Sequence, residues 1–237
     1  MNLLCLILLL AQTTPRDLYN QANQAYEKED YAKSIELYEQ AASNTKNGLL
    51  YYNLGNAYFK SGQIGKALVN YNRARFLAPR DRDINANIQF LRNYRIDKNL
   101  IIESPIIKII SSFFHFVSWQ EAMFLSATIF FLTIVLIALA IILYQRIFGY
   151  IAIGAGVVFL YLFITWQVWQ GERSSARAVV VMPEVTLRSG PGLDYKDILI
   201  GHDGLEVKII ESRGEYSLLQ FPGGGGWVES ISIEKVF

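Results

Sequence analysis

YYNLGNAYFKSGQIGKALVNYNRARFLAP, residues 51–79, alternates small residues and aromatics at spacings that suit two packed helices. The stretch has a counterpart upstream. ANQAYEKEDYAKSIELYEQAA (22–42) aligns with GNAYFKSGQIGKALVNYNRAR (55–75) at an offset of 33 residues. Ala22 matches Gly55, Ser34 matches Ala67, Tyr38 matches Tyr71, and Ala41 matches Ala74. A period of this length with small residues at fixed places predicts helix pairs stacked as a solenoid. The small residues let the two helices of a pair approach closely, and Tyr38, Tyr58 and Tyr71 fill the gaps between pairs.

DRDINANIQFLRNY (81–94) follows as one more helix, with Ile84, Ile88 and Leu91 on one face. Residues 15–98 thus form two repeats and a capping helix, fewer than the three or so repeats that usually make a stable array. This predicts that the module leans on a partner or on the membrane-proximal segment. The repeats resemble tetratricopeptide (TPR) repeats, the second through nearly its whole length and the first with Ser34 where alanine is usual. That resemblance implies a concave groove presenting Tyr19, Asn23, Tyr26, Tyr52, Asn56, Phe59 and Lys60, with Asp83 and Phe90 from the cap. Asn23 and Asn53 fit the carboxylate clamp of some TPR proteins, but Tyr19 and Asp83 stand where its basic residues belong. An aromatic peptide-binding groove is the better expectation, since adjoining exposed aromatics anchor recognition.

Outward from this module the composition changes twice. MNLLCLILLLAQTT (1–14) has the short apolar core of a signal peptide, without a preceding Lys or Arg. Residues 122–144 and 147–169 are each long and apolar enough to cross a hydrocarbon core of about 30 Å. With only a short link between them they predict a transmembrane hairpin. Trp119, Trp166 and Trp169 fall at its outer ends, where amphipathic rings favour the interface. Neither span holds a charged side chain of the sort that ion and proton carriers place in the bilayer. Ahead of them, Lys108, Ser111, Ser112, His115 and Ser118 make a polar stripe that predicts an interfacial amphipathic helix over 104–120. Gly149, Gly154, Ala155 and Gly156 offer places for close helix contact, with the general tolerance of membrane helices for glycine as the alternative. Two crossings put both flanking domains on one side. The signal places that side outside the cytoplasm, although Arg173 and Arg177 outnumber Arg146 and argue the opposite.

The last zone, 177–237, consists of short alternating stretches broken by turn residues, which predicts a small closed all-β barrel. Its Gly223–Gly226 run is followed by a strand and not by a helix carrying Lys and Ser or Thr, so it is no phosphate cradle. The glycines read as a hairpin turn free to adopt positive φ. VTLRSGPG (185–192) and GWVES (226–230) resemble the bacterial SH3-like domain, with Thr186 in place of its usual asparagine. Tyr195, Tyr216 and Trp227 are the surface candidates for a cell-wall or other peptide, with a core role the alternative for Trp227.

The formal net charge of +1 excludes a field that recruits nucleic acid. One cysteine, Cys5, leaves no disulfide framework or cysteine-rich metal site. His115 and His202 are the two histidines and lie in different zones. No Ser–His–Asp set, metal cluster or cofactor motif can be assembled, which predicts a non-enzyme without cofactor or catalytic residues. The order of modules resembles the TPR/SH3-like members of the bacterial aerotolerance (Bat) operon family. That resemblance implies an inner-membrane scaffold acting with von Willebrand factor A-domain membrane proteins and a MoxR-type AAA+ ATPase, in stress tolerance or envelope upkeep. A peptidoglycan-binding sensor working through the SH3-like domain is the alternative.

Overall fold

The computed structural model describes residues 14–97, 105–221 and 224–237; the signal peptide expected at 1–14 lies almost wholly outside them. The first module is five antiparallel helices: α1 (Pro15–Glu27), α2 (Tyr31–Asn44), α3 (Gly48–Lys60), α4 (Ile64–Leu77) and α5 (Arg82–Tyr94). Local chemistry starts most of them. Thr14 and Asp17 form a capping box ahead of Pro15, and Asp30, Asn47 and Asp81 each accept from first-turn N–H groups of α2, α3 and α5. The small residues are where contact is tightest. A Cβ on Gly55 would lie 2.7 Å from the Tyr71 ring and 3.3 Å from the Ala67 carbonyl oxygen. Ala22, Ser34, Ala67 and Ala74 are fully buried, and Tyr38, Tyr58 and Tyr71 fill the core beside them.

Two long apolar helices follow a short one. The short helix, α6 (Pro105–Phe114), is less than the interfacial helix expected over 104–120, because Ser118 belongs to the next element. It caps α7 (Trp119–Leu143) in a capping box with Glu121. Tyr144, in the left-handed region at φ 51°, turns the chain into α8 (Arg146–Ser174). Both α7 and α8 are long and apolar enough to cross a membrane. They lie side by side with Ala122, Ser126, Ala152, Leu162 and Thr165 buried. A Cβ on Gly149, Gly154 or Gly156 would meet nothing within 4 Å, so these glycines do not mark a close contact. The Tyr161 hydroxyl donates to the Phe113 carbonyl at 3.0 Å and Trp169 Nε1 to that of Val117 at 2.8 Å, tying α6 and the following turn to α8.

The C-terminal module is one antiparallel sheet of seven strands: β1 (Arg177–Val180), β2 (Glu184–Arg188), β3 (Asp197–His202), β4 (Glu206–Arg213), β5 (Tyr216–Phe221), β6 (Gly224–Glu229) and β7 (Ile233–Lys235). Their order is β3-β2-β6-β5-β4-β1-β7. The sheet is open: among the described residues β3 and β7 stand at its two ends and do not pair with each other. The closed barrel expected from the pattern is therefore not formed, although register shifts at Leu187/Arg188 and Ile209/Glu211 bend the sheet. Leu187, Leu205, Leu219, Phe221 and Val228 sit in its core.

The hairpin turn expected at Gly223–Gly226 is not where these glycines lie: Gly224, Gly225 and Gly226 belong to strand β6, and Gly223 is outside the described residues. Gly224, Gly225 and Gly226 pair with Phe221, Gln220 and Leu219 inside the ladder. None of the three has positive φ. A Cβ on Gly225 would come within 2.5 Å of the Leu219 carbonyl oxygen, and one on Gly226 within 2.9 Å of Leu187 Cβ. Close approach demands glycine here, not turn freedom.

Candidate functional site

The residues expected to line the concave face lie on α1, α3 and α5, yet several are spent on holding the repeats together. The Tyr38 hydroxyl donates to Asn23 Oδ1 at 2.5 Å, and its repeat counterpart Tyr71 donates to Asn56 Oδ1 at 2.6 Å. Asn53 Nδ2 donates to the Tyr19 hydroxyl at 2.8 Å and reaches Asn23 Oδ1 at 3.4 Å. One repeat on, Asn87 Nδ2 reaches Asn56 Oδ1 at 3.3 Å and the Tyr52 hydroxyl at 3.4 Å. Each asparagine carbonyl thus accepts from the second helix of its own pair and from the first helix of the next. Burial pushes the Tyr38 hydroxyl up to about 12 and that of Tyr71 upward too, so both remain donors. The Asn23–Asn53 pair is a rung of this ladder and not a carboxylate clamp. Asn87, the rung from the cap helix, was not legible from the repeat pattern.

What stays open is aromatic. Phe59 meets Phe90 edge-on with centroids 5.7 Å apart, and Phe90 stacks on Tyr94 at 5.9 Å. Phe90 is 52 % and Tyr94 63 % exposed. Tyr94 was missed in the sequence, although it stands four residues after Phe90 on the cap helix. Lys60 is exposed beside this cluster in sequence, and at the other end Tyr26 packs edge-on to Tyr31 at 5.4 Å. A cavity of about 180 Å³ lies between, lined by Asn23, Tyr26, Glu27, Tyr38, Asn53 and Asn56.

Another side of the same helices is occupied by the sheet, which is what the short array leans on. Val179 of β1 and Val236 belong to the helical core. Arg73 of α4 donates to the Val236 and Lys235 carbonyls at 3.0 and 2.7 Å and pairs with Glu234 at 2.8 Å. Gln63, at the start of α4, makes no capping bond. Asp203 of the C-terminal module supplies it, accepting from the Ile64 and Gly65 N–H groups at 2.9 and 2.8 Å. A Cβ on Gly65 would run into the Val180 carbonyl oxygen.

Glu206 carries the ionic centre of this contact. Arg92 grips it with Nε and Nη2 at 2.9 and 2.8 Å, while Arg95 Nη1 reaches it at 2.9 Å and the Gly204 carbonyl at 3.0 Å. Two interface carboxylates respond in opposite senses. Burial pushes Asp203 up against the pull of its backbone donors. Burial would raise Glu206 as well, but Arg92 and Arg95 hold it below the usual carboxylate range. Asp97 adds a third tie, accepting the His202 backbone N–H at 2.7 Å with its other oxygen 3.1 Å from the ring Nδ1.

On the sheet, Tyr195 is half exposed and its ring covers Gly190, while Tyr216 is partly buried. Trp227 is only 8 % exposed, with the Arg213 guanidinium 5.4 Å over its ring. It is a core residue, so the three aromatics do not form one exposed ridge. Among the described residues no group of three or more His, Cys, Asp or Glu is placed to hold a metal ion.

Residues 49–81 match the tetratricopeptide repeat family. The match covers α3 and α4, the pair whose Gly55–Tyr71 contact and Tyr71–Asn56 bond are described above. TPR repeats mediate protein–protein contacts, so the module implies protein partners in general. No curated protein matches the chain.

Proposed function

We propose that the chain is a non-enzymatic, membrane-anchored interaction scaffold whose concave TPR face takes a protein partner. The observation that carries this reading is the Phe59–Phe90–Tyr94 cluster, whose Phe90 and Tyr94 are left exposed while the sheet covers another side of the same helices. Exposed adjoining aromatics are the usual anchors of recognition. The asparagines around them are tied into the ladder, which favours apolar side chains of the partner over its terminal carboxylate.

In this reading α7 and α8 cross the membrane as a hairpin, with the TPR and sheet modules on the extracytoplasmic side of the inner membrane. The module order supports a Bat-type assembly with von Willebrand A-domain membrane proteins and a MoxR-type AAA+ ATPase. The test is affinity capture of the tagged chain from detergent-solubilised native membranes, beside the double variant Phe90→Ala/Tyr94→Ala, both exposed side chains. A von Willebrand-type partner should be lost from the variant while its thermal unfolding stays unchanged. Capture that survives both substitutions refutes the concave-face reading.

One observation favours a second reading. The end strand β3 exposes Ile198, Leu199 and Ile200, next to Tyr195. An open sheet edge of this kind suits an added peptide strand, and in an SH3-like module that peptide would come from the cell wall. Sedimentation of the full chain with purified wall sacculi, lost on Ile198→Lys/Ile200→Lys, would carry it; no sedimentation at all ends it.

A further inference from the structure

A cavity of about 560 Å³ lies where the three modules meet, apart from the concave face. Helix α4 contributes Arg75 and Phe76 to its wall, α8 contributes Trp169 and Glu172, and the sheet contributes Arg177 and Lys208. Its wall is mixed, with charged groups beside a wide apolar surface.

The ionic groups do not balance. Glu206, also in the wall, is engaged by Arg92 and Arg95. Glu172 is engaged by His115 at 3.0 Å and Arg177 at 3.3 Å. That leaves Arg75 and Lys208. Among the described residues no hydrogen bond or ion pair holds Arg75; it feels Glu172 and Glu206 only at longer range. Its side chain is partly buried, and burial pulls its guanidinium below the usual arginine range. An arginine stays charged in a protein, so Arg75 presents a cation to the cavity. The cavity wall therefore carries two cations, Arg75 and Lys208, with no carboxylate bonded to them among the described residues.

Its depth narrows the choice. The apolar stretch of α8 runs out at Trp169, and the cavity opens on the next turn at Gly171 and Glu172. Trp119 lies nearby, with the Arg173 guanidinium 5.1 Å over its ring. Tryptophan and arginine together mark the level of lipid headgroups.

We propose that this cavity binds the phosphoryl group of an anionic ligand, with Arg75 as its principal donor, Lys208 at the rim, and Phe76 and Trp169 against the ligand's apolar part. A guanidinium suits a phosphate because its parallel N–H groups bond two oxygens at once. The phosphoryl group is that of an anionic phospholipid or of a soluble phosphate. The lipid source rests on α7 and α8 crossing the membrane, which retention in carbonate-washed membranes tests separately.

The full chain, purified in neutral detergent, is melted with short-chain phosphatidylglycerol, with phosphatidylcholine of the same chain length, or with inorganic phosphate. Phosphatidylglycerol at about 100 times its dissociation constant should raise the melting temperature by about 5–10 °C, and phosphatidylcholine should not. An equal rise with inorganic phosphate assigns the site to a soluble phosphate. Arg75→Met should abolish the response. Lys208→Gln, on the exposed rim, should weaken binding about tenfold, whereas Lys33→Gln on distant α2 should leave it intact. A response that survives both Arg75→Met and Lys208→Gln, or no response beyond that to phosphatidylcholine, overturns the assignment.

Discussion

Replacing Glu206 by leucine should undo the docking of the TPR module on the sheet. The side chain of Arg95 is only 3 % exposed, and in the variant it would keep just the Gly204 carbonyl as a partner. Arg92, whose side chain is 21 % exposed, would lose both of its bonds to the carboxylate. Breaking a buried pair by removing one partner costs about 3–5 kcal/mol. At about 1.4 kcal/mol per tenfold, the docked state should become roughly 100- to 4,000-fold less favoured. Backbone hydrogen exchange on the full chain in detergent reads this directly. The Ile64 and Gly65 amides, which donate to Asp203 across the interface, should lose protection by about that factor, while α2 and β5 exchange as before. The triple variant Glu206→Leu/Arg92→Met/Arg95→Met should recover most of the loss, because it leaves no charge buried alone. Unchanged protection in Glu206→Leu, or a triple variant as open as the single, would refute the reasoning. The pH dependence has a definite sign. The folded state holds Glu206 below its ordinary value, so its contribution is complete above about pH 4.3, the unfolded value, and is lost as pH falls through the folded one. Asp203 is shifted upward and runs the other way, its burial penalty easing as it protonates. Acid undocking in the parent but not in the triple variant would assign the transition to Glu206.

Other substitutions separate the interface from the modules. Gly65→Ala should destabilise docking by about 1–3 kcal/mol, because its methyl group meets the Val180 carbonyl. Gly62→Ala, at φ +80° with nothing near its Cβ position, should cost about 1–2 kcal/mol of helical-module stability and leave docking intact; chemical unfolding monitored at the two sites tells them apart. Asp203→Ala removes the only side-chain cap of α4 among the described residues and should cost about 0.5–2 kcal/mol in thermal unfolding, whereas Gln63→Ala should cost almost nothing. Gly226→Val should prevent β6 from closing on β2, since Leu187 and the Arg188 backbone already fill that space; loss of near-ultraviolet dichroism from Trp227 would report it.

The helix pairs, the long apolar helices and the strand-rich last zone were legible because each rests on local periodicity. Gly55 facing Tyr71, the apolar stretches of α7 and α8, and the alternation in β4 are set by neighbours within a few turns or one hairpin. The site was legible only in part. Phe59 and Phe90 could be named from the repeat, but the pattern does not say that Asn23, Asn56, Tyr19 and Tyr52 use their polar atoms on Tyr38, Asn53, Tyr71 and Asn87, since it places residues on a face without pairing them. The glycine run was expected as a turn, whereas Gly224–Gly226 lie in β6; the reason for glycine there, the lack of room beside Leu219 and Leu187, depends on strands brought together by the fold.

By itself, then, the sequence determined the modules: which stretches are helical repeats, which are long and apolar enough for a membrane, and which are strands. Only the tertiary structure decided how they support one another. It set Glu206 between Arg92 and Arg95, put Asp203 at the open end of α4, and brought Arg75 to the cavity where three modules meet. These contacts join residues more than 100 positions apart. Hydrophobic periodicity is a property of one segment, whereas the pairing of a buried charge depends on which other segment arrives beside it.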